Sequence, residues 1–277
     1  MQVIRRDWSP PVGPLGELTS GAARRVAAEL AGRRAELERA AATAPAVPSF
    51  LAPLRGAQLA VIAELKRSSP SKGAINAGMD AGRQAAAYAA GGAAALSVLT
   101  EPTRFGGSPA DLAEAAAATT VPLLKKDFHV DPLQVLEARA LGASAVLLIA
   151  RALDDDALAA LAALAHDVGV EPLVEIRDEW ELDAALAAGA RVIGVNNRDL
   201  ETLEIDRGTG DRLLPRIPAA CVAIAESGVR DAADVAAAAR AGADAVLVGS
   251  SVSAASDPAR AVRALAAVPR CPDRRSG

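Results

Sequence analysis

The stretch VIAELKRSSPSKG, residues 61–73, begins as an apolar strand and then sets the carboxylate of Glu64 and the ammonium of Lys66 two residues apart. In an extended chain that spacing points both groups to one side. Four further apolar runs end in the same manner: LLKKDF at Lys125 and Lys126, LVEIRD at Glu175, VNNRDL at Asn196 and Arg198, and AIAESGVR at Glu226. A single strand that leaves a core through a charge is ordinary. A set that does so with Glu, Lys and Asn points to a shared functional mouth. Lysines beside carboxylates shift one another's proton affinity, which is the setting for general acid–base catalysis. The two histidines, His129 and His166, are too few and too far apart for a zinc centre, and no Ser-His-Asp set or reactive-cysteine context is present. No metal and no cofactor are expected. The expected chemistry is proton transfer on a substrate that supplies its own electrophile and leaving group, with a lysine acting as a Schiff-base nucleophile as the alternative.

A second pattern suits an anion. ESGVR and VLVGSSVSAASDP place Ser227, Gly228, Gly249 and Ser250 just past two apolar runs. Backbone N–H groups of Gly228, Gly249 and Ser250 at such turns can hold a phosphate dianion. Either turn alone could be a helix cap; two in succession favour a phosphorylated small molecule.

These residues need a scaffold that brings strand ends together. AGGAAALSVLT, LGASAVLLIA, AGARVIGVNN and AGADAVLVGS repeat one theme, in which an Ala-rich helix ends at Gly and releases an apolar strand. The strands barely alternate, as expected when both faces are buried. Eight are predicted, near 60–66, 94–100, 121–126, 144–150, 170–176, 191–196, 220–226 and 243–249. Helices between them open with Ser or Asp and in places Pro, which are N-terminal signals. Strict alternation over roughly 200 residues predicts an α/β fold, a closed (β/α)8 TIM barrel. An open doubly wound sheet is disfavoured because no GxGxxG follows a strand. Residues 1–50 are expected to form a helical extension packed on the barrel, 51–270 the barrel, and 271–277 a frayed tail. Trp180 is expected to pack against the barrel, and His129, one residue past Phe128, to lie outside the site.

Composition narrows the partners. The 277 residues carry a net charge of -4, which argues against nucleic acid. No apolar run is long enough for a bilayer, and no signal peptide is evident. Two cysteines, Cys221 and Cys271, cannot build a disulfide framework, so a reducing, cytoplasmic setting is expected. The chain is expected to be a monomer or a weak homo-oligomer.

Taken together, AELKRSSPSKG, SVLTEPTRFGGS, LLKKDFHVDPLQV, VNNRDLETLEID, AIAESGVR and AVLVGSSV resemble the indole-3-glycerol phosphate synthase family from about residue 48 to 265. Each motif is weak alone, but SPSKG, KDF, NNRDL and ESG in this order are specific. The resemblance implies closure of 1-(2-carboxyphenylamino)-1-deoxyribulose 5-phosphate to indole-3-glycerol phosphate, with loss of carbon dioxide and water, in tryptophan biosynthesis. It implies Lys126 as general acid, Glu175 as a base in dehydration, and Glu64 with Lys66 as the pair that orients the network. Asn196 and Arg198 resemble contacts to hydroxyl and carboxylate, and Glu226 a further polar contact. Ser69, Ser227, Gly228, Gly249 and Ser250 resemble phosphate contacts, while Pro70, Phe105 and Phe128 would wall the aromatic ring. His129 and Leu133 stand where the family usually has aliphatic and aromatic residues respectively.

Overall fold

The computed structural model describes residues 8–70 and 73–271. Ser71 and Lys72 of the SPSKG motif, and residues 272–277 of the expected tail, lie outside the described residues. Eight parallel strands close into a barrel: β1 Ala60–Leu65, β2 Ala95–Leu99, β3 Leu123–Lys126, β4 Ala145–Ile149, β5 Glu171–Ile176, β6 Val192–Asn196, β7 Val222–Glu226 and β8 Ala245–Val248. Each neighbours the next, and β1 pairs with β8 to complete the ring. All eight strands fall within their expected ranges, because residues buried on both faces leave continuous apolar runs.

Helices fill the connections. Ser108 and Asp131 cap theirs through reciprocal bonds with Asp111 and Gln134, and Asp80, Asp154, Asp178, Asp231 and Asp257 accept from first-turn N–H groups. Side chains that face outward from the strands, such as Val61, Val98, Val146 and Ile193, pack under these helices in one core. Alternate positions point inward and form a second core of Ala60, Ile62, Ala95, Leu124, Ala145, Leu147, Leu173, Ile224, Ala245 and Leu247. Small and large residues alternate there, which lets side chains from facing strands fill the interior.

The N-terminal helical run begins at Gly13 and continues to Thr43. It is not one regular helix. A π-helical turn, Val26–Leu30, and a 3-10 turn, Ala31–Arg33, separate its α-helical parts. Leu15, Leu18 and Ala22 of its first part join the inner core. Trp180 departs from expectation: it sits in the first turn of the helix Glu179–Ala187 with 59% of its surface exposed, so it does not pack against the barrel. Among the described residues no helix is long and apolar enough to cross a membrane.

Candidate active site

The strand period of two sets which residues meet above the inner core. One step beyond Ile62, Leu124, Leu173 and Ile224, the inward positions are Glu64, Lys126, Glu175 and Glu226, with Ser97 paired across from Glu64. Register aligns Asn196 with Glu226, and Glu175 with Gly194. A ring of inward charges therefore caps the apolar interior at the C-terminal ends of the strands.

These charges interlock. Lys126 Nζ lies 3.2 Å from Glu175 Oε2 and 3.3 Å from Glu226 Oε2. Lys66 Nζ donates to Glu64 Oε1 at 2.9 Å, and Ser97 Oγ donates to Glu64 Oε2 at 3.2 Å. Burial works against the Lys126 cation, but Glu226, Glu175 and Glu64 together hold its proton affinity above the ordinary ammonium value. Burial likewise penalises the Glu64 carboxylate, yet Lys66 and Lys126, with hydrogen bonds from Lys66 and Ser97, keep it below the usual range. Glu226 goes the other way. Burial and the neighbouring Glu175 outweigh Lys126 and raise it well above an ordinary carboxyl. The set of three carboxylates and two ammonium groups thus favours a proton on Glu226, which brings it to neutrality.

Two glycines make this crowding possible. A Cβ on Gly194 would overlap Glu226 Oε1, and one on Gly249 would lie 2.5 Å from Glu64 Oε1 and 3.3 Å from Lys66 Cδ. Both occupy inward positions of the charged ring. The sequence marks Gly249 as an anion contact; its missing side chain also makes room for the Glu64–Lys66 pair.

The ring forms the floor of a cavity of ≈ 410 Å³. All the residues expected from the sequence line it: Glu64, Lys66, Ser69, Pro70, Phe105, Lys126, Phe128, Glu175, Asn196, Arg198, Glu226, Ser227, Gly228, Gly249 and Ser250. Strand order distributes them. Ser227, Gly228, Gly249, Ser250 and Ser69 follow the contiguous strands β7, β8 and β1. Ser227 and Gly228 both have positive φ, 63° and 85°, a backbone cost of about 1 kcal/mol or more for the serine. Phe105 and Phe128 follow β2 and β3, with ring centroids 6.5 Å apart, and Lys66 Nζ stands 5.7 Å from the Phe105 centroid. Arg198 follows β6 and donates to the Leu203 carbonyl at 2.7 Å. Burial lowers its proton affinity, and among the described residues no carboxylate pairs with it, which leaves its charge for an anionic guest.

Some contributors were not expected. Leu18 brings the N-terminal helix to the cavity wall. Glu101 is fully buried and accepts from the N–H groups of Thr103, Arg104 and Phe105, which fixes the loop that carries Phe105. Arg25 lies 2.7 Å from Asp127 and 3.7 Å from Glu101, so it ties that loop to the end of β3. Inward parity would have found Ser97 and Gly194; nothing in the sequence signals the Arg25 contacts. His129, expected outside the site, is absent from the cavity wall and buried behind it, with Nδ1 2.8 Å from the Leu147 carbonyl oxygen. Trp8 also lies off the cavity, and its indole donates to the Arg151 carbonyl at 3.1 Å.

Residues 15–265 match the family model described as indole-3-glycerol phosphate synthase. The chain is 52% identical over 257 residues to indole-3-glycerol phosphate synthase 1 of Streptomyces coelicolor, covering 91% of this chain and 96% of that one. It is 49% identical over 255 residues to the Mycobacterium leprae (strain TN) synthase, with 89% and 94% covered. Among solved structures, 3-hexulose-6-phosphate synthase from Salmonella typhimurium superposes with a TM-score of 0.57 at 16% identity, over 75% of this chain and 96% of that one, a likeness of fold alone.

Proposed function

The chain belongs to the indole-3-glycerol phosphate synthase family and is a carboxy-lyase of tryptophan biosynthesis, and from that premise we propose how its residues divide the reaction. Its substrate, 1-(2-carboxyphenylamino)-1-deoxyribulose 5-phosphate, carries a phosphate, an aryl carboxylate, a ketone and hydroxyls. The turns at Ser227–Gly228 and Gly249–Ser250, with Ser69, take the phosphate. Arg198 takes the carboxylate, and Phe105, Phe128 and Pro70 wall the ring, with Asn196 on a hydroxyl.

Ring closure forms a bond between the aryl carbon that bears the carboxylate and the ketone carbon, and the carbonyl oxygen gains a proton. Lys126 supplies that proton. Its surrounding carboxylates keep it charged when substrate enters, and the developing alkoxide is the stronger base. Decarboxylation then restores the aromatic ring. Loss of the hydroxyl as water, with removal of a proton, completes the indole. Glu175 is the base of this last stage, and Glu64 with Lys66 orients the network and assists the proton transfer. Glu226, held near neutrality on the cavity floor beside Lys126, is a further polar contact of the network.

The observation that carries this reading is the position of Lys126 Nζ, held between Glu175 and Glu226 on the floor of the cavity. The reading extends to the N-terminal extension, of which residues 8–50 are described, as packed on the 51–270 catalytic barrel, to a monomer or weak homo-oligomer, and to a cytoplasmic location. Mixing purified protein with the substrate tests the whole: indole fluorescence should grow without added cofactor, and borohydride should trap no lysine adduct. A covalent adduct at Lys126 would replace acid catalysis by an imine route.

A further inference from the structure

Tyr88, the single tyrosine of the chain, is fully buried in the helix Ala81–Ala90 and lies off the cavity wall. Its hydroxyl is 3.1 Å from Ser253 Oγ and 3.3 Å from the main-chain oxygen of Glu64. Ser253 ends the short helix Ser250–Ser253 and donates its hydroxyl to that same Glu64 oxygen at 2.8 Å. A hydroxyl has one proton to give, so with Ser253 donating to Glu64, Tyr88 divides its own proton between Ser253 Oγ and that same Glu64 oxygen. Burial pushes the Tyr88 hydroxyl up to about 12, against the pull of Ser253, so it remains a donor at neutral pH. Asn76 Nδ2, from the loop after β1, donates to the Ser253 carbonyl at 3.3 Å.

This junction falls where sheet pairing has run out. The β1–β8 register ends at Ala63↔Val248, so Glu64 lies past the last pair on that edge. The turn after β8 then grips Glu64 twice. The Ser253 hydroxyl holds its carbonyl, and the bare Cα of Gly249 lies against its carboxylate. Neither Tyr88 nor Ser253 lines the cavity, so neither touches substrate.

We infer that Ser253, backed by Tyr88, is a positioning residue that locks the anion-binding turn to Glu64, so that the phosphate end and the acid–base end of the cavity move as one body. The inference rests on the reading above, in which that turn takes the phosphate and Glu64 takes part in proton transfer. A phosphate seated on Ser250 is then tied to the main chain that carries the Glu64 carboxylate through the Ser253 hydroxyl. Proton transfer depends steeply on such placement, and a misplacement of about 1 Å can cost on the order of a hundredfold in rate.

The test is a mutant cycle with a turnover-independent companion. Ser253→Ala should lower kcat about three- to tenfold, the range of one hydrogen bond, while the inhibition constant of inorganic phosphate stays within about twofold. In a Glu64→Gln background the same change should alter single-turnover rates by less than about twofold, because residues that act through one group are not additive. Equal losses in both backgrounds, or a loss confined to KM and phosphate affinity, overturn the inference. In parallel, saturating inorganic phosphate should slow amide exchange at residues 64–66 in the wild type and not in Ser253→Ala. Equal protection in both overturns it as well. Should Ser253→Ala fail to fold, Tyr88→Phe carries the same expectations at smaller size. Absence of wild-type product would count against the synthase reading, and absence of phosphate binding against the anion turn, whereas the cycle and the exchange comparison address Ser253.

Discussion

Lys125 and Lys126 are neighbours on β3, and the strand sends them into opposite regions. Lys125 points outward, is nearly fully buried, and closes on Glu137 of the helix Pro132–Ala140 at 2.6 Å. Around it lie the buried His129 and the Asp127–Arg25 pair, sealed from the cavity except for one edge of Asp127. Lys126 points inward and shares two carboxylates on the floor of an open cavity. Both regions pair lysine with glutamate at low exposure, so neither burial nor pairing separates structure from chemistry. Access does. The outward charges are paired with one another and, but for that edge of Asp127, lie away from the cavity, whereas the inward charges line a space that a substrate can fill.

Each prediction bears on that contrast. The largest loss outside Lys126 itself is expected from Glu175→Gln, which keeps shape and removes a base. Its kcat should fall about 10²–10⁴-fold with little change in substrate affinity. A loss in affinity alone would make Glu175 a binding residue. Next comes Lys125→Met, which leaves Glu137 without its partner. Unfolding in denaturant should show a loss of about 3 kcal/mol, the lower end for a broken buried pair because Glu137 reaches solvent. Its kcat should hold near the wild-type value, and a dead but folded variant would erase the distinction between the two faces. Arg198→Ala should raise KM about 10- to 100-fold, the worth of a hydrogen bond to a charged group. An unchanged KM would remove Arg198 from the carboxylate.

The smallest effect concerns the outward region alone. Burial, followed by the Lys125 charge, lowers His129 from 6.5 to about 3. The unfolded chain therefore binds a proton that the folded chain refuses, and stability falls as pH drops from 6.5 toward 3. Between pH 7 and pH 5 the His129 share should be about 2 kcal/mol. His129→Asn should flatten the wild-type slope by that amount in urea titrations at the two pH values, and parallel slopes would contradict it.

Much of the scaffold and most of the site were legible because two periods are written plainly in the chain. Doubly buried strands read as unbroken apolar runs, and Ser108-Pro109 and Asp131-Pro132 mark helix starts. Once the strand ends were known, parity alone sent Glu64, Lys126, Glu175 and Glu226 inward. What escaped were contacts between residues distant in sequence. Arg25 finds Asp127 across 102 positions, and Ser253 finds Glu64 across 189. Gly249 read as an anion turn because glycine says where a side chain is absent and not what fills the gap. Trp180 read as packing because it is large and apolar, yet the capped first turn of its helix carries it to the surface.

The central claim, that Lys126 and not its neighbour performs the chemistry, is tested most directly by single turnovers of wild type, Lys125→Met and Lys126→Met with saturating substrate. Indole formation and substrate binding would be followed together. The account predicts that Lys125→Met forms product at close to the wild-type rate, while Lys126→Met binds substrate and accumulates none. Product from Lys126→Met at a rate near wild type, with Lys125→Met inactive though folded, would contradict it.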